Sequence, residues 1–267
     1  MFIDLHTHIL PGFDDGSPDL ATSLTMLQMA AENGTGEMVC TPHLAEGDWK
    51  PAWERVVDSC RALMVAAQER KIPITLYPGV EAAFYSGIEL LARGPGAYCI
   101  NGGRYMLVEL PANQLPVSVD DFFFTLQARG IMPILAHPER YPVLQEEPEH
   151  LLEWIDRGVL LQVNGPSLLG RMGSKIMAVA ENLLQCNMIH CIASDGHGIN
   201  SRRPLLREAA AKVTAMVGPE ISRQLLTINP QQIIANQDIA IPEPNERLFL
   251  RRPKLFGGFF KRFGQNK

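Results

Sequence analysis

No run of 18 apolar residues occurs anywhere in the 267-residue chain, so no segment is equipped to span a bilayer as a helix. The opening Met1-Phe2-Ile3-Asp4-Leu5-His6 has no basic region and carries an acid inside its only apolar stretch, which argues against a secretory signal and predicts a cytoplasmic chain. Cysteine is scarce and scattered. Its five copies (Cys40, Cys60, Cys99, Cys186 and Cys191) form no C-x-x-C pair, which excludes a zinc ribbon and gives no disulfide framework. None of them has an arginine six positions later, so the C-x5-R cradle of cysteine-dependent phosphate chemistry is absent. No G-x-G-x-x-G or G-x-x-x-x-G-K-[ST] loop follows an apolar run, which removes the usual nucleotide-binding signatures.

What remains is ordinary globular material, 46% hydrophobic and 20% charged, long enough to bury about three quarters of its unfolded surface. The net charge of −5 conceals an asymmetry. Residues 247–267 hold seven of the 24 bases and no acid, which leaves 17 bases against 29 acids in the preceding body, a net of −12. A body so acidic argues against nucleic acid as the main partner, because phosphate neutralisation needs a basic face.

Short apolar or β-branched runs alternate with longer helical patterns. The runs are Phe2–Leu5, Glu37–Thr41, Ile74–Tyr77, Tyr105–Glu109, Met132–Ala136, Val159–Val163 and Ile189–Ala193. After the first, Ser17-Pro18-Asp19 offers an N-cap, a proline at N1 and an acid, followed by Leu20, Leu24, Leu27 and Ala31 on one helical face and a stop at Asn33-Gly34. Further helices are expected over 50–71, 85–93, 118–130, 147–157, 172–187 and 203–217, with one or two short ones in 218–240. Seven βα repeats without a composition break predict one parallel α/β domain over residues 1–241. Pro242-Glu243-Pro244-Asn245-Glu246 reads as a linker, so that 242–267 forms a linker and a basic, aromatic tail. An open doubly wound sheet and a closed barrel both suit the short strands. The missing nucleotide loops and the polar residues closing nearly every run favour the barrel, whose strand ends converge on one mouth.

Those strand ends carry the chemistry. Asp4-x-His6-x-His8 closes the first run, and period-two geometry puts all three on one side of an extended backbone. Asp14-Asp15-Gly16 lies in the following loop, Thr41-Pro42-His43 ends the second run, Gly79-Val80-Glu81 follows the third and Glu109 ends the fourth. Ala136-His137-Pro138 ends the fifth, and Ser194-Asp195-Gly196-His197 the seventh. A mouth so crowded with imidazoles and carboxylates predicts bound cations, since buried like charges repel and dehydrate at great cost. Nitrogen and oxygen donors without thiolate suit manganese, iron or zinc, and the number of candidates predicts two or three ions bridged by a carboxylate. Asp4 is expected to orient a neighbouring histidine and not to bind metal. His150 and His190 fall outside the pattern, on a surface helix and at a strand start. Arg140, three residues past His137, and Arg202, five past His197, could offer forked guanidinium donors to phosphate oxygens, with Arg203 as the alternative to Arg202.

Together, Asp4-Leu5-His6-Thr7-His8, Asp14-Asp15-Gly16-Ser17, Thr41-Pro42-His43, Gly79-Val80-Glu81, Ala136-His137-Pro138-Glu139-Arg140-Tyr141 and Ala193-Ser194-Asp195-Gly196-His197 resemble the polymerase-and-histidinol-phosphatase (PHP) superfamily. Within it they are similar to the bacterial manganese-dependent protein-tyrosine phosphatases of capsule and exopolysaccharide loci, over roughly residues 1–240. The resemblance implies a distorted (β/α)7 TIM-like barrel with three metal ions. It also implies His6, His8, Glu81 and Asp195 on one ion, with Glu81 bridging; Glu109 and His137 completing a second; and Asp15, His43 and His197 on a third. The choice of Asp15 over Asp14 rests on alignment with the acid directly before the glycine. Arg140 and Arg202 would hold phosphate, and His43 or His197 would supply a proton. The implied substrate is the tyrosine-rich C-terminal tail of a membrane-bound bacterial tyrosine autokinase controlling polysaccharide export. A small-molecule phosphatase of the same superfamily, such as one for histidinol phosphate, and a metal-free scaffold are the rival readings. In the tail, five phenylalanines interleaved with bases over 248–263 suggest a peripheral contact with anionic membrane, against the alternative of a segment packed on the barrel.

Overall fold

The computed structural model describes residues 1–47, 49–85, 88 and 91–246. All seven apolar runs form strands: β1 (Phe2–Thr7), β2 (Thr35–Cys40), β4 (Thr75–Pro78), β6 (Tyr105–Glu109), β7 (Met132–Ala136), β8 (Leu160–Asn164) and β9 (Cys191–Ala193). Two more, β3 (His43–Leu44) and β5 (Glu81–Ala83), prolong β2 and β4 past interruptions. Pro42 has no N–H to give a ladder, and Gly79-Val80 breaks the second strand in step with it. Gly79 N–H still donates to the Cys40 carbonyl (3.0 Å) and Glu81 N–H to that of Pro42 (3.1 Å), so the two strands stay together through the break.

All pairings are parallel: β1–β2–β4 on one side of the break, and β3–β5–β6–β7–β8–β9 on the other. The ring closes where Thr7 bridges Gly196, with Asp195 N–H on the His6 carbonyl (3.0 Å) and His8 N–H on that of Gly196 (2.9 Å). The result is a distorted (β/α)7 barrel. The mouth lies at the carboxyl ends of its strands, where loops from every unit can meet.

Helices α1 (Leu20–Glu32), α2 (Trp53–Glu69), α3 (Val119–Ala128), α5 (Glu149–Asp156), α7 (Ser174–Gln185) and α8 (Arg207–Val217) fall within the expected segments. Short α4 (Pro142–Glu146) and α6 (Gly165–Leu168) follow β7 and β8, and α9 (Pro219–Arg223) and α10 (Asn229–Ile234) end the barrel. The first cap is displaced from its expected position. Asp19, not Ser17, caps α1 by accepting from Thr22 N–H at 2.8 Å, and the Ser17 hydroxyl is spent on Ser23 Oγ (2.8 Å) and the Asp19 carbonyl (3.0 Å). The α-helix expected over 85–93 does not form among its described residues. Ile88 and Leu91 N–H make only three-residue turn bonds, to Tyr85 and Ile88 carbonyls, and the sequence offers Gly87 within and Gly94-Pro95 after so short a segment. The rest of that segment lies outside the described residues, as does the basic aromatic stretch 247–267. No helix among the described residues is long and apolar enough to cross a membrane.

The main core packs the helices on the barrel, with Leu27, Met38, Leu63, Val108, Leu135, Trp154 and Leu161 fully buried. All five cysteines are free and buried.

Candidate metal centre

The loop after β1 begins the site. Ser17 N–H reaches back to the His8 carbonyl (3.0 Å), which lays Asp14-Asp15-Gly16 directly on the β1 end. A Cβ on Gly16 would stand 2.2 Å from that carbonyl oxygen, so only glycine allows the approach. The fold thereby separates two adjacent acids. Asp14 turns inward and accepts from His8 Nδ1 (2.8 Å), His43 N–H (2.9 Å) and Gly16 N–H (2.9 Å). Burial alone would raise its pKa, but the hydrogen bond and charge of His8 prevail and take it to about 2. Asp15 remains half exposed and points one oxygen at both His43 Nε2 and His197 Nε2, 3.4 Å from each.

Glu81 stands at the centre, 1% exposed. Its Oε1 lies 3.3 Å from His6 Nε2 and 3.0 Å from His137 Nε2; its Oε2 lies 3.3 Å from His8 Nε2 and 3.0 Å from His43 Nδ1. Glu109 is near the same pair, 3.6 Å from His137 and 3.8 Å from His43. Asp195 Oδ1 is 3.5 Å from His6, 3.7 Å from His8 and 3.3 Å from His197. Three overlapping groups result: His8, Asp15, His43 and His197; His6, His8 and Glu81; and His43, Glu81 and Glu109. All nine sequence candidates for metal thus meet in one mouth, although His43 looks both toward Glu81 and toward Asp15. His137 and Asp195 reach it from left-handed backbone, at φ 36° and 52°, a conformation costly for residues with a Cβ and common where a site imposes it.

Burial works against every charge here, and at His6, His8, Glu81 and Asp195 the neighbours overrule it. For His8, burial lowers the pKa, but Asp14 and Glu81 push it up to about 10. His6 is likewise raised by Glu81 and Asp195 against its burial. Glu81 and Asp195, though desolvated, are held below the carboxylate range by the imidazoles, whereas Glu109 is raised by burial and by the charge of Glu81. His197, stacked on His8 at 3.8 Å between ring centroids, is pushed down to about 3 by burial and by the His8 charge.

The donor set fits divalent cations. Ligands held about 2.1 Å from one ion lie about 3.0–3.4 Å apart, the spacing of most of these nitrogen and oxygen pairs. His6 Nε2 and His8 Nε2 face each other at 3.1 Å, a contact that needs either a proton or a shared cation between two lone pairs. The mouth forms a cavity of about 270 Å³, and Arg140 and Arg202 line it. Arg140 Nη1 donates to Asp195 Oδ2 (3.0 Å) and Arg202 Nη2 to Oδ1 (2.7 Å); Arg203 is exposed and does not line the cavity.

Some participants escaped the sequence reading. Gln162 Oε1 accepts from His6 Nδ1 (2.8 Å), its Nε2 donates to Asn164 Oδ1 (2.8 Å), and Asn164 Nδ2 donates to Asp195 Oδ2 (2.8 Å). The signal was a Gln-x-Asn pair at period two in an otherwise apolar run. Gln162 therefore takes the orienting role expected of Asp4, which accepts backbone N–H groups of Ser194 (2.9 Å) and His6 (3.4 Å) and touches no imidazole. Trp49 lines the cavity and lies parallel to the His43 ring, 9° apart at 5.0 Å. Of the two histidines left aside, His150 sits on α5 beside Glu147 (3.4 Å), and His190 is buried just ahead of β9.

A parallel seven-unit barrel with clustered metal donors at its strand ends defines the class. Within it, the profile of the capsular polysaccharide synthesis family CpsB/CapC matches residues 2–235, and the chain belongs to that family. It is 32% identical to the tyrosine-protein phosphatase YwqE of Bacillus subtilis (strain 168) over 257 residues, 96% of this chain and all of the relative. Identity to the tyrosine-protein phosphatase CpsB of Streptococcus pneumoniae is 26% over 241 residues, 88% of this chain and 99% of the relative. A solved structure from a study of YwqE and CpsB, described as metal-dependent tyrosine phosphatases, superposes with a TM-score of 0.84 at 32% identity, covering 91% of this chain and 98% of the other.

Proposed function

We propose that this chain is a metal-dependent protein-tyrosine phosphatase. The observation that carries the reading is the mouth itself, where imidazole and carboxylate donors converge beneath two guanidinium groups. His6, His8, Glu81 and Asp195 would hold one cation, Glu109 and His137 with Glu81 a second, and Asp15, His43 and His197 a third. Manganese is the ion proposed, with iron and zinc as the other candidates for such donors. When bound, the cations draw charge from the phosphoryl oxygens and lower the pKa of attacking water.

The chain's own groups do the rest. Gln162 and Asp14 hold the rings of His6 and His8 in place, so that each presents Nε2 to Glu81 and Asp195. Arg140 and Arg202, each anchored on Asp195 by one nitrogen, keep further N–H groups for the oxygens of a phosphate. Charge that develops on those oxygens during transfer meets fixed donors, with no reorganisation required. The departing tyrosinate, of solution pKa about 10, needs little help; of the two rings expected to supply a proton, His197 is held neutral by burial and by the His8 charge, which leaves His43, whose ring lines the cavity.

The substrate proposed is the phosphotyrosyl tail of a membrane-bound bacterial tyrosine kinase that controls polysaccharide export, acted on in the cytoplasm by the barrel of residues 1–241. Turnover of a phosphotyrosyl peptide and of histidinol phosphate by manganese-loaded protein tests this reading; preference for the second substrate would replace it. The linker and tail of 242–267 are proposed as a peripheral membrane contact on their sequence alone. A chain ending at Asn245 is expected to keep peptide turnover and lose affinity for anionic vesicles, and equal sedimentation of both forms would refute the contact.

A further inference from the structure

The cavity is chemically lopsided. Nine of its eleven lining residues present a carboxylate, an imidazole or a guanidinium; the other two are Ala45 and Trp49. Such a floor suits a phosphate and offers nothing to the hydrocarbon of an ester. Among the described residues that line the cavity, the Trp49 indole is the sole extended apolar surface.

That indole is placed by backbone. Trp49 follows β3 within a tight loop that Ala45 N–H closes on the Trp49 carbonyl (2.6 Å), which brings the side chain back over the strand it has just left. One side is fixed by the parallel contact with His43, and 38% of the residue remains exposed. A large, rigid aromatic plane beside a charged floor can hold a second ring by offset or edge contact at little cost in side-chain entropy.

Resting on the phosphatase reading, we propose that Trp49 is the specificity-determining wall of this site: it packs against the aromatic ring of the phosphotyrosyl group and thereby selects aryl over alkyl phosphates. Phosphoserine and phosphothreonine carry their phosphate on a short aliphatic stem, with no ring to lay against the indole. The wall contributes contact with the substrate and no charge or proton.

Phosphonates isolate this contact, because they bind as phosphate esters do but have no bond to hydrolyse. Binding of phenylphosphonate and methylphosphonate to metal-loaded protein is to be measured by calorimetry, and by competition with peptide turnover, for wild type, Trp49→Ala and Trp49→Phe. Trp49→Ala is expected to weaken phenylphosphonate about tenfold and leave methylphosphonate within about twofold; Trp49→Phe should retain most of the aryl preference. A parallel loss for both phosphonates would overturn the inference and show that Trp49 acts only by covering His43. Unchanged binding of both would overturn it as well. Wild-type protein that binds neither phosphonate and releases no phosphate from phosphotyrosyl peptide would overturn the phosphatase reading, and the wall with it.

Discussion

His8 and His190 are both fully buried, at opposite ends of the same barrel, and their acid–base characters are opposite. At the strand carboxyl ends, Asp14 and Glu81 overrule burial and push His8 up to about 10. At the amino ends, His190 receives one N–H, from Leu161 to Nδ1 at 3.0 Å, its Nε2 has no hydrogen-bond partner among the described residues, and burial takes it down to about 4. Desolvation is common to the two, so the carboxylates make the difference. One end of the barrel is built as insulation. The other concentrates charge that only opposite charge can stabilise, and that is the environment in which cations bind.

The largest break in this contrast comes from removing central donors. His6→Ala or Glu81→Ala should abolish phosphate release and lower metal content, as measured by turnover and elemental analysis; full activity at unchanged stoichiometry would remove the site assignment. Next, Arg140→Ala should retain its metals and lose about 10²-fold in turnover, the scale of a preorganised donor to developing charge. Kinetics and phosphate inhibition equal to wild type would reduce Arg140 to a loop charge. Smaller again, Asp14→Asn should weaken metal affinity about tenfold or more by releasing the His8 ring, read by titration with manganese. An unaltered isotherm would mean that the acceptor on His8 is dispensable.

The smallest effect sits at the other end. Between the ordinary histidine value of 6.5 and about 4, the unfolded chain binds a proton that folded His190 refuses, so its contribution to stability falls as pH falls through that window. The slope is at most about 1.4 kcal/mol per pH unit. His190→Gln should flatten that part of the pH dependence in denaturant melts and leave turnover at pH 7 intact. A slope identical to wild type would show that another group carries it.

The contrast also explains what the sequence could reveal. Seven apolar runs at βα spacing, nearly every one closed by a polar residue, were enough to anticipate the barrel and nearly all of the mouth, because period-two geometry and strand-end convergence follow from the strand pattern. Strands β3 and β5 were not legible: two or three residues carry no period, and they stand apart from β2 and β4 where Pro42 and Gly79 interrupt the two paired strands together. Asp14 and Asp15 are alike in composition and differ by what surrounds them. Three N–H donors claim Asp14 once Gly16 lets the loop lie on His8. Gln162 and Asn164 have no titratable signature; Gln162 sat in a run read as plain strand, and Asn164 lay one residue past its expected end. Trp49 meets His43 through a loop closure that no periodicity announces.

Phosphate release from a phosphotyrosyl peptide by chelator-stripped protein, followed as manganese is returned, tests the central claim most directly. The account predicts no release from the stripped protein and recovery that saturates at two or three ions per chain. Undiminished release without metal would contradict it.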